Sequence, residues 1–283
     1  MSKTHIGWTD NSWNPYLWRC RKVSQGCKNC YMMALATRYG QDPTGPFGTR
    51  WEAADKELKT FKPGEVVFVN SMSDTYYERA SDDDVMRVHA TAARRPDLTF
   101  LVLTKRPERA LALASQLEWP RNLWLGVSVE NKATLPRISY ALATPAAGVF
   151  VSAEPLLEDI GVLLRAYASL QGYVWHGQRT IYVPDAVRDA GRGKAIGWVI
   201  VGGESGPERR PFDWRWAASI QHTCAEFDVP FFYKQGSAFM PGQDRLLEGR
   251  TWDEMPAAFS QVVPSAQQLT LFAAMGDDTE AAS

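Results

Sequence analysis

The residues best suited to chemistry in this chain are three cysteines within eleven positions, Cys20, Cys27 and Cys30. Cys27 and Cys30 form a Cys-x2-Cys pair, Cys20 stands close upstream, and the fourth cysteine, Cys224, is remote. Thiolates on so short a loop can converge on one centre, and Gly26 lets the backbone curl around it. The count of three is informative, because a [4Fe-4S] cubane held by three thiolates keeps one iron free for another ligand. Other readings share the spacing. The three are ordinary buried thiols, or two form a disulfide with one to spare, or all three hold zinc with a histidine such as His5. The Cys-x2-Cys pair and the absence of any export signal favour the iron–sulfur cluster among these.

A site of this kind needs a scaffold. With 283 residues, the chain is long enough for one large α/β domain of the barrel type. Its hydrophobic residues (45%) and charged residues (22%) describe a globular protein, and its eleven tryptophans point to a large core or an aromatic-lined site. A net charge of −1 gives no global electrostatic case for binding nucleic acid or a membrane surface. Met1 to Asp10 lacks the basic and apolar regions of a signal peptide, and no apolar run is long enough to span a bilayer. Clustered cysteines without an export signal predict reduced thiols and metal ligation in the cytoplasm.

The scaffold shows as a rhythm. Apolar runs recur at 66–69, 100–103, 123–127, 148–151, 198–201 and 230–233, separated by segments of helical spacing such as 82–93, 107–117 and 214–227. Short continuous apolar runs are strands buried on both faces, and alternation with helices makes them parallel. With a short strand next to Cys20 delivering the cysteine loop, about seven strands are expected. The predicted fold is α/β, a TIM-like or partial (β/α) barrel of parallel strands alternating with helices, with a doubly wound open sheet as the alternative. It fills residues 1–256, and 257–283 form a flexible C-terminal tail. Residues 171–195 break the rhythm and read as an insertion over the barrel mouth.

Parallel α/β folds gather their sites at the C-terminal ends of the strands. Here those ends carry Ser73, Asp74, Lys105, Glu130, Glu154 and the run Gly202-Gly203-Glu204, with Asn70, Thr104, Arg106, Ser128, Asn131, Lys234 and Gln235 beside them. Each has a plainer reading. Asp74 and Glu154 can cap helices, Lys105-Arg106 can be a solvated basic pair, and the two glycines can serve a tight turn. Six such ends together suggest a small polar ligand between the cysteine loop and the strand ends. His89, His176, His222 and Cys224 read as structural.

Taken together, these motifs resemble a phage- and bacteria-borne family of unknown function over about residues 5 to 256. The residues that carry it include Gly7-Trp8-Thr9-Asp10 with Trp13-Asn14-Pro15, Gly26-Cys27-x-x-Cys30-Tyr31, Ser71-Met72-Ser73-Asp74, Leu103-Thr104-Lys105-Arg106-Pro107, Trp124 to Asn131, and Val201 to Gly206. More remotely the chain resembles radical S-adenosylmethionine (SAM) enzymes, spore photoproduct lyase among them. That resemblance implies a [4Fe-4S] cluster on Cys20, Cys27 and Cys30, SAM on the fourth iron, and a 5′-deoxyadenosyl radical that abstracts hydrogen. The chain departs from it in two ways. Its spacing is Cys-x6-Cys-x2-Cys instead of Cys-x3-Cys-x2-Cys, and Gly202-Gly203-Glu204 comes late in the chain. Two functions follow as expectations: a radical-SAM-like enzyme acting on nucleic acid or nucleotides, or a cluster- or zinc-bearing nucleic-acid-binding protein without SAM cleavage. In the second, Arg94-Arg95, Lys105-Arg106 and Arg209-Arg210 with nearby tryptophans would contact DNA phosphates and bases.

Overall fold

A computed structural model of the chain describes residues 6–168, 173–176, 179–182 and 196–260. The apolar runs form seven strands: β1 (Asn11–Trp13), β2 (Val66–Val69), β3 (Thr99–Thr104), β4 (Leu123–Ser128), β5 (Gly148–Ala153), β8 (Trp198–Gly202) and β9 (Phe231–Gln235). Every neighbouring pair is parallel, and the spatial order β1-β2-β3-β4-β5-β8-β9 follows the chain. Sequential order with no switch point curls the sheet one way, giving a partial TIM-like half-barrel and excluding the doubly wound alternative. Among the described residues the α-helices are α1 (Tyr31–Arg38), α2 (Trp51–Leu58), α3 (Asp82–Ala93), α4 (Pro107–Ala112), α5 (Pro136–Leu142), α6 (Gly161–Ala168) and α7 (Trp214–Glu226). Within the predicted insertion, β6 (Tyr173–His176) and β7 (Arg179–Tyr182) pair as an antiparallel hairpin, and the rest of 171–195 lies outside the described residues. No described helix is long and apolar enough to cross a membrane.

Both faces of the sheet are buried, against different partners. Val67, Val69, Phe100, Val102, Leu125, Val127, Val151 and Val199 pack with helix residues such as Val88, Ile138 and Ile220. The alternate positions Phe68, Leu101, Trp124, Phe150, Trp198, Ile200 and Phe232 turn away from the helices into the concave interior, where Trp8 joins them. Gly126 lies in this inner row. A Cβ there would stand 2.1 Å from the Phe150 ring, so glycine makes room for the aromatic layer.

Two boundaries differ from the sequence expectation. The strand expected next to Cys20 lies earlier, at Asn11–Trp13, because Pro15 has no N–H to continue the ladder and the chain leaves the sheet there. Residues Ala257–Ser260, read as the start of the tail, form a 3-10 turn whose Phe259 is buried against Trp124 and Trp198, at centroid distances of 4.8 and 5.4 Å. Residues 261–283 lie outside the described residues. Just before this plug, the chain runs along the free edge of β9, with Tyr233 N donating to Trp252 O and Glu254 N to Phe231 O. Phe259→Ala should therefore cost about 3 kcal/mol through the cavity it leaves under the aromatic layer. A urea midpoint unchanged in this variant would return Phe259 to the tail.

Candidate functional site

Two residues above the aromatic layer the concave face turns polar. The alternation that aims Trp124 and Phe150 inward also aims Ser128 and Ser152 inward, and these two are register partners across β4 and β5. Lys105, just past β3, donates to Ser128 Oγ at 2.9 Å and lies 3.7 Å from Glu130 Oε1. Lys234 on β9 pairs with Glu154 Oε2 at 2.7 Å. A Cβ on Gly202 would stand 3.0 Å from that same carboxylate oxygen, so β8 passes Glu154 as closely as glycine allows. The indole N–H of Trp8, in the layer below, is buried without a partner among the described residues.

The cysteine loop is fastened across this rim at several points. At its start, the Arg106 guanidinium contacts Cys20 Sγ at 3.7 Å and donates to Arg21 O at 3.1 Å. Arg106 is itself held by Asp74 at 3.1 Å and Glu78 at 2.6 Å. In the middle, Ser24 Oγ donates to Glu130 Oε1 at 2.7 Å. Between Cys27 and Cys30, Asn29 donates to Glu204 Oε2 at 3.0 Å and to Glu208 O at 2.6 Å. At the end, the Tyr31 hydroxyl donates to Ser71 O beyond β2. A loop whose own regular structure is one 3-10 turn at Gln25–Cys27 is thus ordered by borrowed partners from the ends of β2, β3, β4 and β8.

These partners divide the thiols electrostatically. Burial and the Asp74 charge push the Cys20 thiol up to about 11, against the Arg106 cation. Burial acts the same way on Cys27. It is outweighed by the Lys105 charge and by hydrogen bonds from Val23 and Ser24, which hold Cys27 below the ordinary thiol range. Burial would raise Glu130 too, yet Lys105 and Arg137 hold it below the usual carboxylate range. Glu204 is likewise lowered against its burial, by Arg210 and Asn29.

The four cysteines are free thiols. Cys20 and Cys30 lie against the apolar cluster of Met32, Ala36 and Met72, while Cys27 faces the Lys105 side. Among the described residues, no three His, Cys, Asp or Glu side chains gather closely enough for a single metal ion, and His5 lies outside those residues. In a cubane each thiolate binds a different iron, whereas zinc draws its donors onto one ion. Cys20, Cys27 and Cys30 share one loop, which is what either group asks of its cysteine ligands.

The other residues picked out by sequence fall into three groups. Lys105, Glu130, Glu154 and Gly202 line the concave face. Asp74 is a bracket. It is buried and accepts from Tyr76 N, Thr104 Oγ1, Lys105 N and Arg106 Nη1, which ties β3 to the loop after β2. Ser73 donates to Arg19 O, Gly203 packs against the Gly236–Ser237 backbone, and Glu204 is bound by Arg210 and Asn29. Of the basic pairs, Arg95, Arg106 and Arg210 each hold a carboxylate, of Asp97, Asp74 and Glu204. Cys224 is buried on α7, in the core. Sequence reasoning passed over Ser24 and Asn29, whose partners Glu130 and Glu204 are remote in the chain, and Arg137, which turns back from α5 onto Glu130 and Ser128 O. Their only local signal is polarity inside an otherwise apolar or basic stretch.

No curated protein and no solved structure matches the chain. Residues 3–256 match the family described as a protein of unknown function, DUF5131, and this span takes in the cysteine loop, all seven parallel strands and the polar rim. The chain belongs to that family.

Proposed function

We propose that this chain is an iron–sulfur enzyme of the radical-SAM type, holding a [4Fe-4S] cluster on Cys20, Cys27 and Cys30, with SAM as co-substrate. The observation that carries the reading is the cysteine loop fastened over the polar mouth of a parallel half-barrel. Bound there, cluster and SAM would supply one-electron chemistry, leaving the protein to orient substrate and exclude water. The aromatic layer closes the mouth from below. The Lys234–Glu154 pair offers a donor and an acceptor side by side, which suits the polar edge of a nucleobase. Tyr31, half-exposed and close enough to Glu154 to feel its charge, offers a stacking face. A nucleotide or nucleic-acid substrate is therefore our preferred class. The length of the Cys20–Cys27 loop, held down by its own residues, favours a second reading: a cluster-bearing binding protein without SAM cleavage.

Anaerobic reconstitution with iron and sulfide should give a brown protein with about four irons per chain. Cys20→Ala, Cys27→Ala and Cys30→Ala should each abolish it, and Cys224→Ala should not. Reduced, loaded protein should then release 5′-deoxyadenosine from SAM. Colourless protein with stoichiometric zinc would overturn the cluster. Loaded protein that neither binds nor cleaves SAM would leave the binding-protein reading in place.

A further inference from the structure

We infer that Glu130 and Glu204 are positioning residues, a pair of arginine-backed clamps that set the cysteine loop on the rim before any metal is bound. The importance of that loop rests on the reading of Cys20, Cys27 and Cys30 as cluster ligands. The clamping itself does not.

The two carboxylates share one construction. Each lies just past a strand end and binds both an arginine and a loop residue, on separate oxygens in Glu130 and sharing Oε2 in Glu204. Glu130 is fully buried, with Arg137 Nη1 at 2.9 Å on Oε2 and Ser24 Oγ at 2.7 Å on Oε1. Glu204 is 8% exposed, with Arg210 N at 2.8 Å and Nε at 3.1 Å, and Asn29 at 3.0 Å. Burying such pairs contributes little net stability, since desolvation offsets the attraction, so their use is better sought in what they hold in place. What they hold is the loop on both sides of Cys27, since Ser24 lies three residues before it and Asn29 two after.

Backbone contact adds an independent sign. A Cβ on Gly26 would stand 2.4 Å from both Cγ and Oε1 of Glu130, so the loop rests directly on that side chain. With arginine and loop residue in place, neither carboxylate is left over for the amine of a small ligand. This gives Glu204 a different task from the ligand contact its sequence suggests, while Gly202 still lines the concave face.

Limited trypsinolysis of the metal-free full-length chain tests this, because Lys22 and Lys28 are exposed cleavage sites within the loop. Cleavage of a briefly opened segment follows the population of its open form. Ser24→Ala removes one hydrogen bond to a charged group, and Asn29→Ala removes one together with its bond to Glu208 O, so cleavage at Lys22 and Lys28 should rise about tenfold or more. Gly26→Ala keeps both bonding groups but collides with Glu130, and should do the same. Cleavage at Lys56, on α2, should stay at its original rate, and Ser24→Thr, which keeps the hydroxyl, should restore the slow rate at the loop. Unchanged loop cleavage in all three variants would overturn the inference, as would a rise at every site. The assay contains no metal, so its failure is distinct from a failure to assemble the cluster.

Discussion

Replacing Arg137 with methionine should cost about 3–5 kcal/mol, because it strands an ionised carboxylate in the interior. Glu130 has no exposed surface, and Arg137, itself only 10% exposed, supplies its close counter-charge at 2.9 Å while also donating to Ser128 O at 2.8 Å. Lys105 stands 3.7 Å from the other carboxylate oxygen and goes on lowering Glu130 through its charge, but it donates to Ser128 and does not fill the hydrogen-bonding place of the lost guanidinium on Oε2. Against a typical stability of about 5–15 kcal/mol, such a loss is large enough to read directly as a lowered urea midpoint. The double variant Arg137→Met with Glu130→Met should recover most of it, since two apolar side chains of similar volume carry no desolvation penalty. The pair would then show a strong coupling in the double-mutant cycle. If the single substitution cost less than about 1 kcal/mol, Lys105 would be a sufficient counter-charge for Glu130, and the arginine backing of this clamp would fall.

The parallel sheet was legible because its strands are buried on both faces and appear as unbroken apolar runs, such as Val66–Val69, that chance seldom repeats so evenly. The choice between half-barrel and doubly wound sheet was not legible, since strand order is a property of crossovers and each run looks alike in either arrangement. The polar strand ends stood out for the same reason the strands did: polarity begins abruptly where the apolar run stops. Their division of labour was hidden. Asp74 and Glu130 look alike in sequence, each an acid after an apolar run. Yet Asp74 is saturated by donors from Thr104, Lys105 and Arg106, some thirty residues on, while Glu130 is shared between Arg137 and Ser24. Phe259 was hidden by the alanine-rich composition around it, which says nothing of the aromatic gap between Trp124 and Trp198 that it fills. The basic pairs misled in the opposite direction. Arg95 and Arg210 read as solvated or phosphate-binding cations, but each is matched to a carboxylate.

His89 should make the protein lose about 3 kcal/mol of stability as the pH falls from the ordinary histidine range to about 4. It was read as structural from sequence, and the structure supplies the reason. The ring is fully buried on α3, its Nδ1 lies 2.8 Å from Glu118 O and its Nε2 lies 2.8 Å from the Tyr76 hydroxyl. A carbonyl can only accept, so Nδ1 carries the proton and Nε2 accepts from Tyr76, leaving both nitrogens of a neutral imidazole satisfied. A second proton would have no acceptor there and would charge a dry site. Burial accordingly pulls His89 down from 6.5 to about 4, against the Glu118 hydrogen bond. Between those two values the unfolded chain binds the proton and the folded chain does not, so stability is fully present above 6.5 and drains as the pH falls. The lowered carboxylates Glu78, Asp97, Glu130 and Glu204 act in the same direction, but only from about 4.5 downward, where their unfolded counterparts begin to protonate. The interval between about pH 6.5 and 5 therefore isolates the histidine. His89→Gln offers Tyr76 an acceptor and Glu118 a donor without titrating. Unfolding free energies of the wild type from urea titration should drop by about 2 kcal/mol over that interval while those of the variant stay level. A variant that retained the full pH dependence would place its source outside this buried triad of Tyr76, His89 and Glu118.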